Sequence, residues 1–217
     1  MRYFIKQHKC LIIFAIISIA MIVLSLIFKC DKSPVLLLIV QIAIGYLINV
    51  IFYVTLSYLP TKRKTEMSYK IISQKIDRIV ADMKDFPNAM IKQFPSNSPS
   101  RKEQIKQATY GFYSGLTLEY AGLCLCSSGE YKKWNAGNFL YTKARLVEDN
   151  MDFILKYYAD SVLPELDEVF EKIRHTSVHT ALKMLLECNR PYTNSSDSIV
   201  EYDNLADELE KVKNLYL

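Results

Sequence analysis

Two long uncharged runs occupy the first quarter of the chain, and apolar residues at helical spacing govern the rest. From Cys10 to Phe28 nineteen residues carry no charge, enough in a helix to span roughly 28 Å, close to the thickness of a hydrocarbon core. A second uncharged run, Val35 to Leu59, begins one residue after Pro34, which suits the first turn of a helix. The six residues between them are too few for a domain. The pattern predicts a transmembrane helical hairpin over residues 1–60, with spans at about 10–28 and 35–59. The first run exceeds the usual signal-peptide core and no small-residue cleavage site follows it, so an uncleaved anchor is expected.

Beyond residue 60 the spacing predicts an all-α region with no stretch of alternating polarity bounded by hairpin turns. Ile72, Ile76, Ile79, Val80 and Met83 form one stripe, expected to be a juxtamembrane stalk helix over 61–94 that Pro87 ends or kinks. Residues 95–100, PSNSPS, read as a linker. Ser100 to Glu103 fits a capping box, so a helix is expected from 101, with Ile105, Ala108, Phe112, Leu116 and Leu123 buried. Gly111, Gly115 and Gly122 fall inside it, which closely packed neighbours would have to compensate. Further helices are expected from about Glu130 past Tyr158, from about Pro164 to Glu187, where Pro164 either starts a new helix or kinks a long one, and over Tyr202, Leu205, Leu209, Val212 and Tyr216 after the loop 189–197. Residues 101–217 thus read as a cytoplasmic helical bundle.

Charge orients this architecture. The whole net charge of +4 lies in residues 1–60, where five Lys/Arg face one acid, while the remainder has 22 of each. Arg2, Lys6 and Lys9 precede the first run and Lys62, Arg63 and Lys64 follow the second, so both termini should be cytoplasmic. The balance excludes a globally basic duplex-DNA binder. Residues 61–106 carry 11 bases and 5 acids, residues 147–217 carry 7 and 15. The basic part suits anionic headgroups, and the acidic part should project away from them.

Within the second run Gln41, Gly45 and Asn49 recur every four residues and so share a helix face. An amide in hydrocarbon must find a partner, so this face should meet another helix, a second copy or water. It reads either as helix-packing glue or as a pore-lining stripe in a ring of subunits, and a homo-oligomer is expected in both cases.

Chemistry is sparse. The five cysteines form neither a disulfide framework nor a zinc set, and Cys30, in the short connection, is the one expected to face the outside. Glu171, His175 and His179, four apart, are weak metal candidates, read first as an ordinary helix face, because no general base stands at the needed spacing. No phosphate-binding glycine loop or nucleophile elbow occurs, so neither catalysis nor a cofactor is expected. Arg101, Lys102 and Lys106 at a helix start, with Lys132, Lys133 and Trp134 after the next turn, are candidates for an anionic ligand, although a continuous helix would hold the two groups apart.

In the order of its parts, two spans followed by a soluble domain, the chain resembles the small two-pass effectors of bacterial anti-phage defence, which act on the inner membrane when a nucleotide signal changes. The resemblance carries no functional residue. It implies an oligomeric effector in a bacterial inner membrane, an ion channel or membrane-disrupting protein controlled by its cytoplasmic domain, whose ligand is a nucleotide, an oligonucleotide or a regulatory protein. The alternative reading is a membrane-anchored interaction module in which the hairpin only tethers and the helix from Ile199 to Leu217 docks a protein.

Overall fold

The computed structural model describes residues 9–27, 34–125, 129–180 and 195–216. They are mostly helical and divide into two compact units, Met1–Glu66 and Met67–Leu217.

The first unit is built on α1 (Lys9–Ile27) and α2 (Pro34–Phe52), both uncharged after Lys9. They pack through one face of each. Tyr46 donates its hydroxyl to the Leu11 carbonyl at 3.2 Å, and its ring meets Phe14 edge-on at 6.2 Å. Ala43 and Ser18 are buried in this seam, while Ile13, Ile16, Leu38 and Ile42 are exposed. The apolar stretch of the first helix is short, Ile13–Leu24, and the second run does not end at residue 59: an unbroken helical segment extends from Leu37 to Gln93. Its ladder widens into a π-helical turn at Tyr53–Tyr58 before α3 (Leu59–Gln93). Pro60 therefore stands near an irregular turn, where a residue without an N–H disturbs the ladder least, and the expected boundary there is not a helix end.

In the second unit, α3 lays Ile72, Ile76, Ile79, Met83, Phe86 and Met90 into the core. Pro87 does not end this helix. It is itself buried inside it, and burial of its apolar ring offsets the loss of the backbone bond that the ring removes. After the linker comes α4 (Arg101–Thr109), with extended Ser100 as N-cap; its side chain makes no capping bond, so the expected capping box is not formed.

The expected helix through Gly111, Gly115 and Gly122 is absent. At Gly111 a Cβ would lie 2.7 Å from the Phe94 ring, and Gly122 has φ +76°. Three glycines weaken the helix, and the chain instead runs as a loop over the core, with Gly111 closely approached by the Phe94 ring and Gly122 in the left-handed region. Phe112 and Leu118 are buried along it, Leu116 is half-buried, and Leu123, expected inside, is exposed. That loop feeds a feature absent from the sequence reading, an antiparallel hairpin of β1 (Leu123–Leu125) and β2 (Tyr131–Lys133), with Leu123 opposite Lys133.

The next helix, α5 (Ala136–Tyr157), starts later than expected because 131–133 are strand; Asn135 caps it, accepting from the Asn138 N–H at 2.7 Å. Pro164 opens a new helix, α6 (Pro164–His175), which stops at extended Thr176 before the short α7 (Ser177–Thr180). The stretch 181–187 expected to continue it lies outside the described residues, as do Cys30 and residues 189–194 of the expected loop. The last helix, α8 (Ser196–Lys213), buries Tyr202, Leu205 and Leu209 as its spacing predicts. A final turn brings the Tyr216 hydroxyl within 2.7 Å of the Leu163 N–H, which donates to it.

Candidate functional site

Beside the core of the second unit, the last turns of α3 and the first turns of α5 leave a cleft of about 360 Å³ between them. From α3 come Asp85, Asn88 and Lys92, with Ala89 between them; from α5 come Phe139, Thr142 and Lys143. With Leu146 added to the second, both sets follow the i, i+3, i+4, i+7 rhythm of a single helix face. Tyr120 from the loop and Trp134 from the end of the hairpin close the remaining side. Trp134 is half-buried, its ring edge-on to Phe139 at 5.7 Å. Backbone bonds from the Leu118 N–H to the Trp134 carbonyl and from the Ala136 N–H to the Leu116 carbonyl, both 2.8 Å, fix this wall to α5.

The charges of the cleft are unequally engaged. Lys143 lies 2.7 Å from Asp82 and 2.5 Å from Asp85. Burial pulls its pKa down, but the hydrogen bonds to the two aspartates outweigh this and the net shift is upward. Its positive charge is thus compensated in place by two carboxylates, and the Asp82–Lys143–Asp85 cluster carries a net charge of −1. Lys92 is exposed in the last turn of α3, and among the described residues it has no ion-pair partner. Asn88 accepts from Arg101 Nη2 at 3.0 Å. A guanidinium can only donate, so this bond fixes Oδ1 towards Arg101 and leaves the amide NH₂ as the other group of Asn88.

The cations singled out in the sequence are not gathered on one open patch. Arg101 grips Asp203, Lys106 lies 2.8 Å from Asp197, Lys133 pairs with Glu119, and Lys132 lies 3.5 Å from Glu130. Hydrogen bonds donated to the Asp203 and Asp197 carboxylates raise the pKa values of Arg101 and Lys106, against a smaller opposing effect of burial. Lys102 is exposed, and its charge helps to hold the Asp197 carboxyl below its usual range, after the larger effect of Lys106. Of that set, Trp134 lines the cleft, and Arg101 reaches its border through Asn88.

The set Glu171, His175 and His179 is divided by the break at Thr176. Glu171 and His175 form an exposed pair at 3.7 Å on α6, while His179 is on α7 and buried. There Nδ1 stands 3.1 Å from Glu148 Oε1 and Nε2 stands 3.2 Å from the Tyr202 hydroxyl. Burial lowers the pKa of His179, Glu148 opposes that shift, and Arg174 adds to it; burial also raises the pKa of Tyr202. Among the described residues no group of three or more His, Cys, Asp or Glu side chains is placed to hold a metal ion.

In the first unit, Gln41 and Asn49 are exposed, and a Cβ on Gly45 would have nothing within 4 Å. At about 100° per residue their face is turned roughly 120° around α2 from the one that carries Ala43 and Tyr46 into the seam. The seam therefore does not use them. The docking face expected on Ile199–Leu217 is not open either, because Ile199, Val200, Leu205 and Leu209 belong to the core.

The sequence reading missed Asn88, Lys92, Thr142 and Lys143. Their signal, a polar edge at helical spacing beside each apolar stripe, is also the mark of any solvated helix flank. No protein-family model, no curated protein and no solved structure matches this chain.

Proposed function

We propose that this protein is an oligomeric integral membrane effector of a bacterial inner membrane, with both termini cytoplasmic, whose helical domain controls a membrane pathway in anti-phage defence. The two N-terminal helices act as a transmembrane hairpin. Supporting this, the most apolar window of the long helix has a mean hydropathy of 2.3 and is only 6% buried, a surface that water would penalise and lipid accommodates. The observation that carries the reading is the Gln41–Gly45–Asn49 face. The amides of Gln41 and Asn49 have no hydrogen-bond partner among the described residues, and the α1–α2 seam leaves them outward. In hydrocarbon such groups call for neighbouring copies or for water enclosed by them, and a two-span subunit encloses water only as a ring.

The test is the stoichiometry of the detergent-solubilised full chain by native mass spectrometry, joined to a vesicle-permeability assay of Gln41→Leu and Asn49→Leu. A closed ring of four or more copies is expected, with altered permeability in both variants. A monomer or dimer, or unchanged permeability in correctly inserted variants, overturns the pathway.

A further inference from the structure

We infer that the cleft between α3 and α5 binds a small organic anion made of a planar ring and an acidic group, about the size of a mononucleotide. The inference names the ligand class for the controlling domain proposed above, and rests on that reading only for what binding then does to the membrane.

Three features carry it. The first is size: about 360 Å³ lies within the range of small-molecule sites, and is too small for a folded partner. The second is a surplus of donors. The one carboxylate of the lining, Asp85, is engaged by Lys143, whereas the ammonium of Lys92, the amide NH₂ of Asn88, the hydroxyls of Tyr120 and Thr142 and the indole N–H of Trp134 have no hydrogen-bond partner among the described residues. The unengaged groups mostly donate, and Lys92 stands about 10 Å along the helix from Asp85, so the Lys92 end of the cleft is the part complementary to an acceptor-rich anion. The third is the aromatic wall. Trp134 is held in place by Phe139 and by the backbone bonds that fix the loop to α5, so little is lost in ordering a flat surface for a ring. A bare inorganic anion would leave that wall and the apolar Ala89 and Ala121 unused.

Trp134 is the only tryptophan, so biosynthetic 5-fluorotryptophan gives a single ¹⁹F resonance inside the cleft. The full chain in nanodiscs is titrated with AMP, with 1-naphthyl phosphate as a second ring-plus-anion probe, and with adenosine and inorganic phosphate as the two halves of AMP. Saturable shifts with AMP or naphthyl phosphate are expected, with adenosine and phosphate each weaker than AMP by about tenfold or more. Lys92→Gln, at an exposed position, should leave the melting temperature without ligand unchanged and weaken AMP by about tenfold. Equal affinity for phosphate alone overturns the ring, and equal affinity for adenosine overturns the anion. No shift with either AMP or naphthyl phosphate overturns the site. Binding is read at Trp134 and permeability in vesicles, so loss of one without the other separates this inference from the pathway it would control.

Discussion

Arg101 and Asp203, at the start of α4 and in the middle of α8, meet through a two-point bond: Nε to Oδ2 at 2.6 Å and Nη2 to Oδ1 at 2.7 Å. The Asp203 side chain is only 5% exposed, while Arg101 keeps 42%. This is the fork geometry in which guanidinium and carboxylate fit best, and it ties segments 102 residues apart. Removing the arginine leaves a buried carboxylate without its counter-charge, and that penalty exceeds the net value of the pair.

Arg101→Met should therefore cost about 2–3 kcal/mol, below the full buried-pair penalty because the guanidinium is partly solvated. Arg101→Met combined with Asp203→Leu should recover most of the loss, since no stranded charge then remains. Urea unfolding of the full chain, followed by Trp134 fluorescence, measures both. A single variant as stable as the native chain would contradict the stranding argument.

Gly137 tests close packing at the start of α5. A Cβ there would lie 2.9 Å from the Ser114 Cβ and 3.3 Å from the Ser114 backbone, beside the 2.8 Å bond from the Gly137 N–H to the Ser114 carbonyl. In an open helix Gly→Ala is worth about 1 kcal/mol of stability. Here the overlap with backbone should reverse the sign, and Gly137→Ala should destabilise by about 1–2 kcal/mol. Because the displaced loop also carries the wall beside Trp134, the ¹⁹F resonance should shift even without ligand.

The cluster of His179, Glu148 and Tyr202 gives the second unit an acid limit. Burial depresses the His179 pKa below its ordinary 6.5, with Glu148 opposing and Arg174 assisting. Between the folded and unfolded pKa values the unfolded chain binds more protons, so stability rises with pH across that window. The contribution is complete above about 6.5 and is lost as pH falls through the folded value. His179→Gln should flatten the melting-temperature profile below pH 6.5 and leave the neutral side nearly level. A profile that keeps its acid slope would show that other groups set it.

Much of this architecture was legible because it depends on local periodicity. Ile72, Ile76, Ile79 and Met83 of the stripe and the face of Tyr202, Leu205 and Leu209 are buried as their spacing requires, with Val80 half-buried at the edge. What escaped depends on residues far apart in sequence. Strands of three residues are too short to show alternation, and nothing local distinguishes a glycine that merely weakens a helix from one such as Gly122 that turns the chain at positive φ. Pro87, expected to end or kink the helix over 61–94, instead lies buried within it, which keeps Asn88 and Lys92 on the same face as Asp85. The His179 site escaped because its partners come from α5 and α8, and because the helix that would have aligned it with Glu171 breaks at Thr176.

Gly45 separates packing within a subunit from packing between subunits. A Cβ there meets nothing within 4 Å, and the α1–α2 seam is made on another face by Ala43 and Tyr46, whose hydroxyl holds the Leu11 carbonyl. A side chain at 45 therefore has room in a single chain. If the Gln41–Gly45–Asn49 face approaches a neighbouring copy, the same side chain keeps the two backbones apart, the opposite of what small residues allow at membrane helix interfaces. Gly45→Leu should leave insertion and helix content unchanged while shifting the native mass spectrum towards smaller assemblies; Ala43→Leu, placed in the seam, should instead disturb the subunit itself. An intact ring in Gly45→Leu would mean that this face lines water or meets lipid, and the neighbouring copy would have to be sought on the exposed face of α1 around Ile13 and Ile16.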